Sequence, residues 1–258
     1  MAILREHLPW YKEILALPDL LVAPVLVFGF HEVCIDPIYF DTWRHMSLGR
    51  KFLRARMFLQ ERKRVKAGRA HPDLQIPQEY RVADFSQLLR NYGAKDIRVL
   101  DLFDARADLQ YDMNLPLPSA ECGRYGTVID IGSLEHVFDT RQCLENCLGM
   151  VRVGGVYVLH APVKGYYLHG LHTFNPEALL QALTLNGFEL VYHRYSTDGG
   201  APLDDPATGE NVLIWLVGRR RVDVSGFKYP QQRGWKELYA GDGPERHGPY
   251  CTGQHVRL

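Results

Sequence analysis

Cysteine is scarce in this chain: five among 258 residues, an odd number, with no Cys-x-x-Cys pair anywhere. That argues against a disulfide-stapled secreted scaffold and against paired-thiol zinc or redox motifs. An excess of charge of either sign is also missing, because thirty Lys plus Arg meet thirty Asp plus Glu. A balanced charge argues against a general binder of phosphate backbones, though a local basic patch is compatible with it. No stretch reaches the roughly eighteen apolar residues that cross a bilayer. The first thirty residues have no basic stretch leading into an apolar run, since Arg5, Glu6, Lys12, Glu13 and Asp19 interrupt them. These absences predict free thiols in a reducing compartment and a cytoplasmic protein with no membrane association. The pattern Gly-x-Gly-x-x-Gly does not follow the first strand, which counts against a nicotinamide-dependent oxidoreductase. What is present, 46% hydrophobic and 23% charged residues, is the composition of a globular protein.

The hydrophobic pattern organises the chain as a single domain over 1–258, with a helical insertion at about 36–93 and an irregular extension at about 220–258. Residues 3–17 carry helical spacing, ended by Pro18 and Pro24, and Val25, Leu26, Val27 and Phe28 then read as a buried strand. The segment from Pro37 to Tyr92 is polar and helix-leaning and includes the basic stretch Arg50 to Arg69. Beyond Gly93 come the short apolar runs IRVLDLF, ADLQYD, TVIDIG, VYVLHAP, FELVYHRY and NVLIWLVG. Between them lie helical stretches at Thr140 to Val151, closed by Gly154-Gly155, and at Pro176 to Asn186, closed by Gly187. This alternation predicts an α/β fold with a mostly parallel sheet, its last two strands forming an antiparallel hairpin at the sheet edge.

In an open parallel sheet, ligands bind outside the carboxyl ends of the strands. Gly29 follows the first strand and permits close approach of the backbone. Asp101 and Asp104 surround the end of the second, where a carboxylate can accept from both hydroxyls of a ribose. Asp112 follows the third and can accept from an exocyclic adenine amine. Together they describe a nucleoside site, most simply adenosine.

The ordered set Asp112-Met113-Asn114-Leu115-Pro116, Val128-Ile129-Asp130, Leu134-Glu135-His136-Val137, Gly154-Gly155, Ala161-Pro162, Thr173 to Leu180 and Asn186-Gly187-Phe188-Glu189 resembles the class I S-adenosylmethionine-dependent methyltransferases. The likeness is strongest to their small-molecule and glycan-modifying branch. It implies a Rossmann-like methyltransferase sheet with S-adenosylmethionine as cofactor. Gly29, Phe30 and His31 would approach the methionine part, Asp101 the ribose, Asp112 and Met113 the adenine, and Gly132, Ser133, Leu134 and His136 the sulfonium end. The chain departs from that pattern in three places. Phe30 stands where the family's loop has its second glycine, roughly sixty residues separate the first two strands, and the link from Asp101 to Asp112 is too short for a helix.

Methyl transfer to an oxygen or a protonated nitrogen needs a base, and histidine titrates near operating pH. The loop KGYYLHGLHTF offers His169 first and His172 second as catalytic candidates, with Tyr166 and Tyr167 as walls for the acceptor. Each residue also has a plainer role. Asp101 and Asp104 can be turn acids, His136 a helix cap, Cys143 and Cys147 packing residues, and Arg50 to Arg69 a solvated helix face. The expected activity is O- or N-methylation of a small-molecule or sugar-like acceptor. The alternatives are a catalytically degenerate methyltransferase-like scaffold, favoured by Phe30, and an RNA methyltransferase, favoured only by the basic insertion. No metal is expected, the partner is the acceptor and not nucleic acid, and a homo-oligomer is left open. Part of the insertion, within residues 50–80, and the aromatic tail with Trp235, Tyr239 and Tyr250 are candidate lids.

Overall fold

Strand formation follows the apolar runs. All seven residues of YGTVIDI and seven successive residues from Val212 to Gly218 are buried, the pattern of strands covered on both faces. The computed structural model describes residues 2–34, 36, 43–74 and 84–231. β1 (Ala2–Leu4) leads into α1 (Leu8–Leu15), followed by β2 (Val25–Phe28), β3 (Glu32–Cys34), α2 (Leu48–Lys66) and α3 (Phe85–Asn91). Then come β4 (Ile97–Asp101), β5 (Leu109–Gln110), β6 (Tyr125–Ile131), α4 (Thr140–Met150) and β7 (Val151–Lys164). α5 (Pro176–Leu185), β8 (Phe188–Thr197), β9 (Pro202–Leu203) and β10 (Val212–Arg220) complete the described chain.

Eight strands form one sheet in the order β5-β4-β2-β6-β7-β10-β8-β9. The strands from β5 through β7 pair in parallel, and β10 runs antiparallel to both β7 and β8. Alternation along each strand feeds two cores. Val25, Val27, Ile129 and Trp215 pack with α1 and α3 on one face, while Leu26, Phe28, Val128 and Leu216 pack with α4 and α5 on the other. Side-chain caps start the helices, with Asp84 accepting from the Gln87 amide, Asp139 from that of Gln142 and Asn175 from that of Glu177.

The sequence reading needs correction in three places. The amino-terminal helix begins at Leu8 and not at Ile3, because Ala2–Leu4 pairs in parallel with Glu32–Cys34. Gly154 and Gly155 do not close α4. They lie inside β7, beside the register shift against β6, with Gly154 at φ +84°. The terminal strands do pair antiparallel, but β10 is interior and only β8 and β9 approach the edge. As expected, no helix separates Asp101 from Asp112. α2 has no buried residue and is held to the segment before α1 by Arg5–Glu61 at 2.6 Å and Arg64–Glu6 at 3.2 Å. Trp235, Tyr239 and Tyr250 lie outside the described residues. Among the described residues no helix is long and apolar enough to cross a membrane.

Candidate active site

The chain leaves β2 for β4 and β5 on one side and returns to β6 and β7 on the other, so the crevice lies where β2 and β6 end. A cavity of about 410 Å³ opens there. It is lined by Gly29, Phe30 and His31 after β2, Asp101 at the end of β4, Asp112 and Met113 after β5, and Gly132, Ser133 and His136 after β6. Leu134 is wholly buried and does not line it. Gly29 adopts φ +78°, a conformation that favours glycine, and its amide donates to the Leu100 carbonyl at 2.7 Å.

Asp101 is a turn acid whose second oxygen is left facing the Gly29 turn. Its Oδ1 accepts from the amides of Phe103 and Asp104 at 2.8 and 3.0 Å, while Oδ2 lies 3.8 Å from where a Cβ on Gly29 would stand. Asp104 is engaged elsewhere. Arg106 donates to it, lowering its carboxyl to about 2, and the same guanidinium lies 4.4 Å from the centre of the Phe30 ring. Phe30 is thereby built into a wall of the cavity. Hydrogen bonds from the backbone and side chain of Asn114 hold the Asp112 carboxyl below its ordinary range. The sequence reading passed over Phe103, Tyr111 and Val137, which also line this space; all three lie within or beside runs it had marked.

A second cavity, about 360 Å³, shares Gly132 and His169 with the first. Ile3, Leu4, Ala161, Pro162 and Leu213 give it apolar walls, and His7, Tyr11, Glu135, His160, Tyr166 and Asp198 give it polar ones. His160 is stacked on Trp215 at 3.9 Å and its Nδ1 is 2.9 Å from the Tyr11 hydroxyl. Its Nε2 is buried and has no hydrogen-bond partner among the described residues. Burial holds His160 well below the ordinary histidine value, so the ring is neutral. Sequence reasoning missed His7, Tyr11, His160 and Asp198 as cavity residues, since nothing in local spacing joins them; Glu135 lies within the Gly132–His136 segment it had marked.

The loop after β7 separates the remaining candidates. His169 lines both cavities, whereas Tyr166 lines the second alone. His172 lines neither, and its Nε2 is 3.1 Å from the Phe138 carbonyl. Tyr167 is 92% exposed and also lines neither. This loop is firmly set. Tyr166 and Leu168 take left-handed conformations at φ 58° and 63°, and the amides of Leu171 and His172 donate to the Glu135 carbonyl at 2.8 and 3.2 Å. A Cβ on Gly170 would lie 2.9 Å from that carbonyl oxygen, so the approach needs glycine. His169 Nε2 consequently lies 3.9 Å from Glu135 Oε1. Glu135 is 1% exposed, and burial, followed by the charge of Asp130, raises its carboxyl to about 8.

Cys143 and Cys147 are buried with their sulfurs 4.0 Å apart, Cys143 backing the first cavity. From the insertion, the described residues 43–74 contribute nothing to the lining of either cavity, so the expected lid finds no contact there; residues 75–80 lie outside the described residues.

No family model and no curated protein matches the chain. Solved structures do resemble it. An S-adenosylmethionine-dependent methyltransferase from Mesorhizobium loti is 13% identical over 83% of this chain and 98% of that one, with TM-score 0.45. TehB from Haemophilus influenzae is 14% identical with TM-score 0.37, over 52% of this chain and 53% of that one, so the chain spans about half of its length. The 1,6-didemethyltoxoflavin-N1-methyltransferase of Burkholderia thailandensis is 15% identical over 52% and 65%, with TM-score 0.36. The sheet itself, reversing its strand order between β2 and β6 and carrying the antiparallel β10 between β7 and β8, is a Rossmann-like α/β arrangement.

Proposed function

We propose that the protein is an S-adenosylmethionine-dependent methyltransferase that acts on a small-molecule or sugar-like acceptor. The observation that carries this reading is a pair of cavities meeting at Gly132 and His169, beneath the ends of β2 and β6. The first suits the cofactor in size and in donor set. It has the volume of a small-molecule site, Asp101 Oδ2 faces the Gly29 turn, and Asp112 and Met113 stand together at its β5 side. When bound, the cofactor supplies an electrophilic methyl group on a sulfonium.

The chain's own residues do the rest. Asp101 accepts from the ribose hydroxyls, Asp112 from the adenine amine, and Gly29 lets the backbone come close. The second cavity orients the acceptor through His160, Tyr11 and Asp198 and walls it with Ile3, Leu4 and Leu213. His169, on the shared boundary, is assigned to activation of the acceptor group.

A second reading, a scaffold that no longer turns over, is favoured by Phe30 in the glycine turn. The test is calorimetric titration of the full chain with S-adenosylhomocysteine, which needs no acceptor. Micromolar, one-to-one binding is expected. Absence of binding would overturn the methyltransferase reading in favour of the scaffold.

A further inference from the structure

Between the two cavities stands a group of side chains that the cofactor does not account for. One ligand atom each from Glu135, His136 and His169 can be chosen so that all three lie within 4.8 Å of one another. His136 lines the first cavity, Glu135 the second, and His169 both. We propose that these three residues bind one divalent cation at the point where methyl donor and acceptor meet.

One observation points to a ligand here. Glu135 is 1% exposed, yet its Oε2 has no hydrogen-bond partner among the described residues. A buried carboxyl oxygen without a partner is costly unless a cation or a donor reaches it, and His169 Nε2, 3.9 Å from the other oxygen, is too far for a hydrogen bond. The setting of the loop holds the three residues together. Two left-handed non-glycine residues, Tyr166 and Leu168, and two amides bonded to the Glu135 carbonyl fix His169 over Glu135. Backbone strain of this kind persists only where its surroundings enforce it.

The donor set selects the metal. Two imidazoles and one carboxylate suit zinc or a neighbouring late first-row ion, whereas magnesium and calcium prefer oxygen ligands throughout. Three protein ligands leave a position open, as in catalytic zinc sites, and the three residues between them line both cavities.

The role of the cation rests on the proposed methyltransferase reading; its binding does not. An acceptor hydroxyl on the open position is made more acidic, its O–H bond breaks and the proton passes to solvent water. The oxygen lone pair then forms the bond to the methyl carbon as the carbon–sulfur bond breaks, its electron pair leaving on sulfur as a neutral thioether. In this scheme His169 acts as a ligand and does not take the proton itself.

The experiment is titration of the chelator-stripped full chain with Zn²⁺ alone by calorimetry and with Co²⁺ alone by visible absorption. The expected result is one equivalent bound, with ligand-field bands for Co²⁺. Affinity should fall at least about tenfold in His136→Ala and in His169→Ala. His136 and His169 are surface residues, so both variants should fold, as circular dichroism will verify. His172→Ala, a loop neighbour outside the set, should bind as the wild type does. No stoichiometric uptake, or uptake indifferent to both substitutions, overturns the site. Uptake without S-adenosylhomocysteine binding keeps the cation site and sinks the methyltransferase reading; cofactor binding without uptake does the reverse.

Discussion

The two cavities meet at one boundary but are assembled in opposite ways. The first is built mainly from the turns that follow β2, β4, β5 and β6, each short and each fixed by its own strand. The second is gathered from the amino-terminal segment, the end of β7, the loop after β8 and β10. Its framework depends on remote bonds such as Trp10 Nε1 to the Gly200 carbonyl at 3.1 Å, across 190 residues, and Trp215 Nε1 to Ser196 Oγ at 2.9 Å. The first cavity is therefore a property of the sheet, and the second a property of tertiary packing around Trp215. The first can survive changes that dismantle the second.

The largest test of that contrast is Trp215→Ala. Trp215 is wholly buried and stacked between Trp10 and His160, so its removal should cost about 3–5 kcal/mol of stability, seen as a lowered Tm. Below that Tm, S-adenosylhomocysteine binding should persist. Simultaneous loss of binding in a still-folded variant would show that the two cavities are one unit.

Next in size is a pH effect at Glu135. Its folded-state value of about 8 lies above the ordinary 4.5, so the folded protein holds the proton more tightly. This contribution is fully present below pH 4.5 and is lost as pH rises through 8. In metal-free protein, Glu135→Gln should gain on the wild type across that window, by about 3–5 kcal/mol at alkaline pH. Thermal melts from pH 5 to pH 9 would check this, and a pH-independent difference would remove the buried carboxylate from the account.

On the cofactor side, Asp101→Ala should weaken S-adenosylhomocysteine binding by about 1.5–3 kcal/mol, roughly ten- to 150-fold. Wild-type affinity would move the ribose contact elsewhere. The smallest effect is expected from Phe30→Ala. The ring meets Arg106 at the cavity wall, a contact worth about 0.5–1 kcal/mol, so affinity should change by less than about fivefold. A tenfold gain would mean that the ring occupies the cofactor's space.

The same contrast explains what the sequence made legible. Asp101, Asp112 and Gly132 line the first cavity and were legible because each sits within a residue or two of the end of an apolar run. Period and spacing cannot show that His7, Tyr11 and His160 share a cavity, because that depends on α1 and β7 packing around Trp215. His169 and His172 illustrate the limit within a single loop: both are loop histidines three residues apart, and only the left-handed turns at Tyr166 and Leu168 decide which one reaches the cavities. The interior place of β10 was hidden for a similar reason. A hairpin can be read from the loop between two strands, but which member faces the sheet cannot.

The three-residue ladder between β1 and β3 has a practical consequence. Ala2–Leu4 pairs with Glu32–Cys34, Ile3 and Leu4 wall the second cavity, and Glu32 comes three residues after the Gly29 turn. Trimming residues 2–4 to improve expression or crystallisation would therefore disturb both cavities together. Loss of activity in such a shortened protein would say nothing about which site does the chemistry.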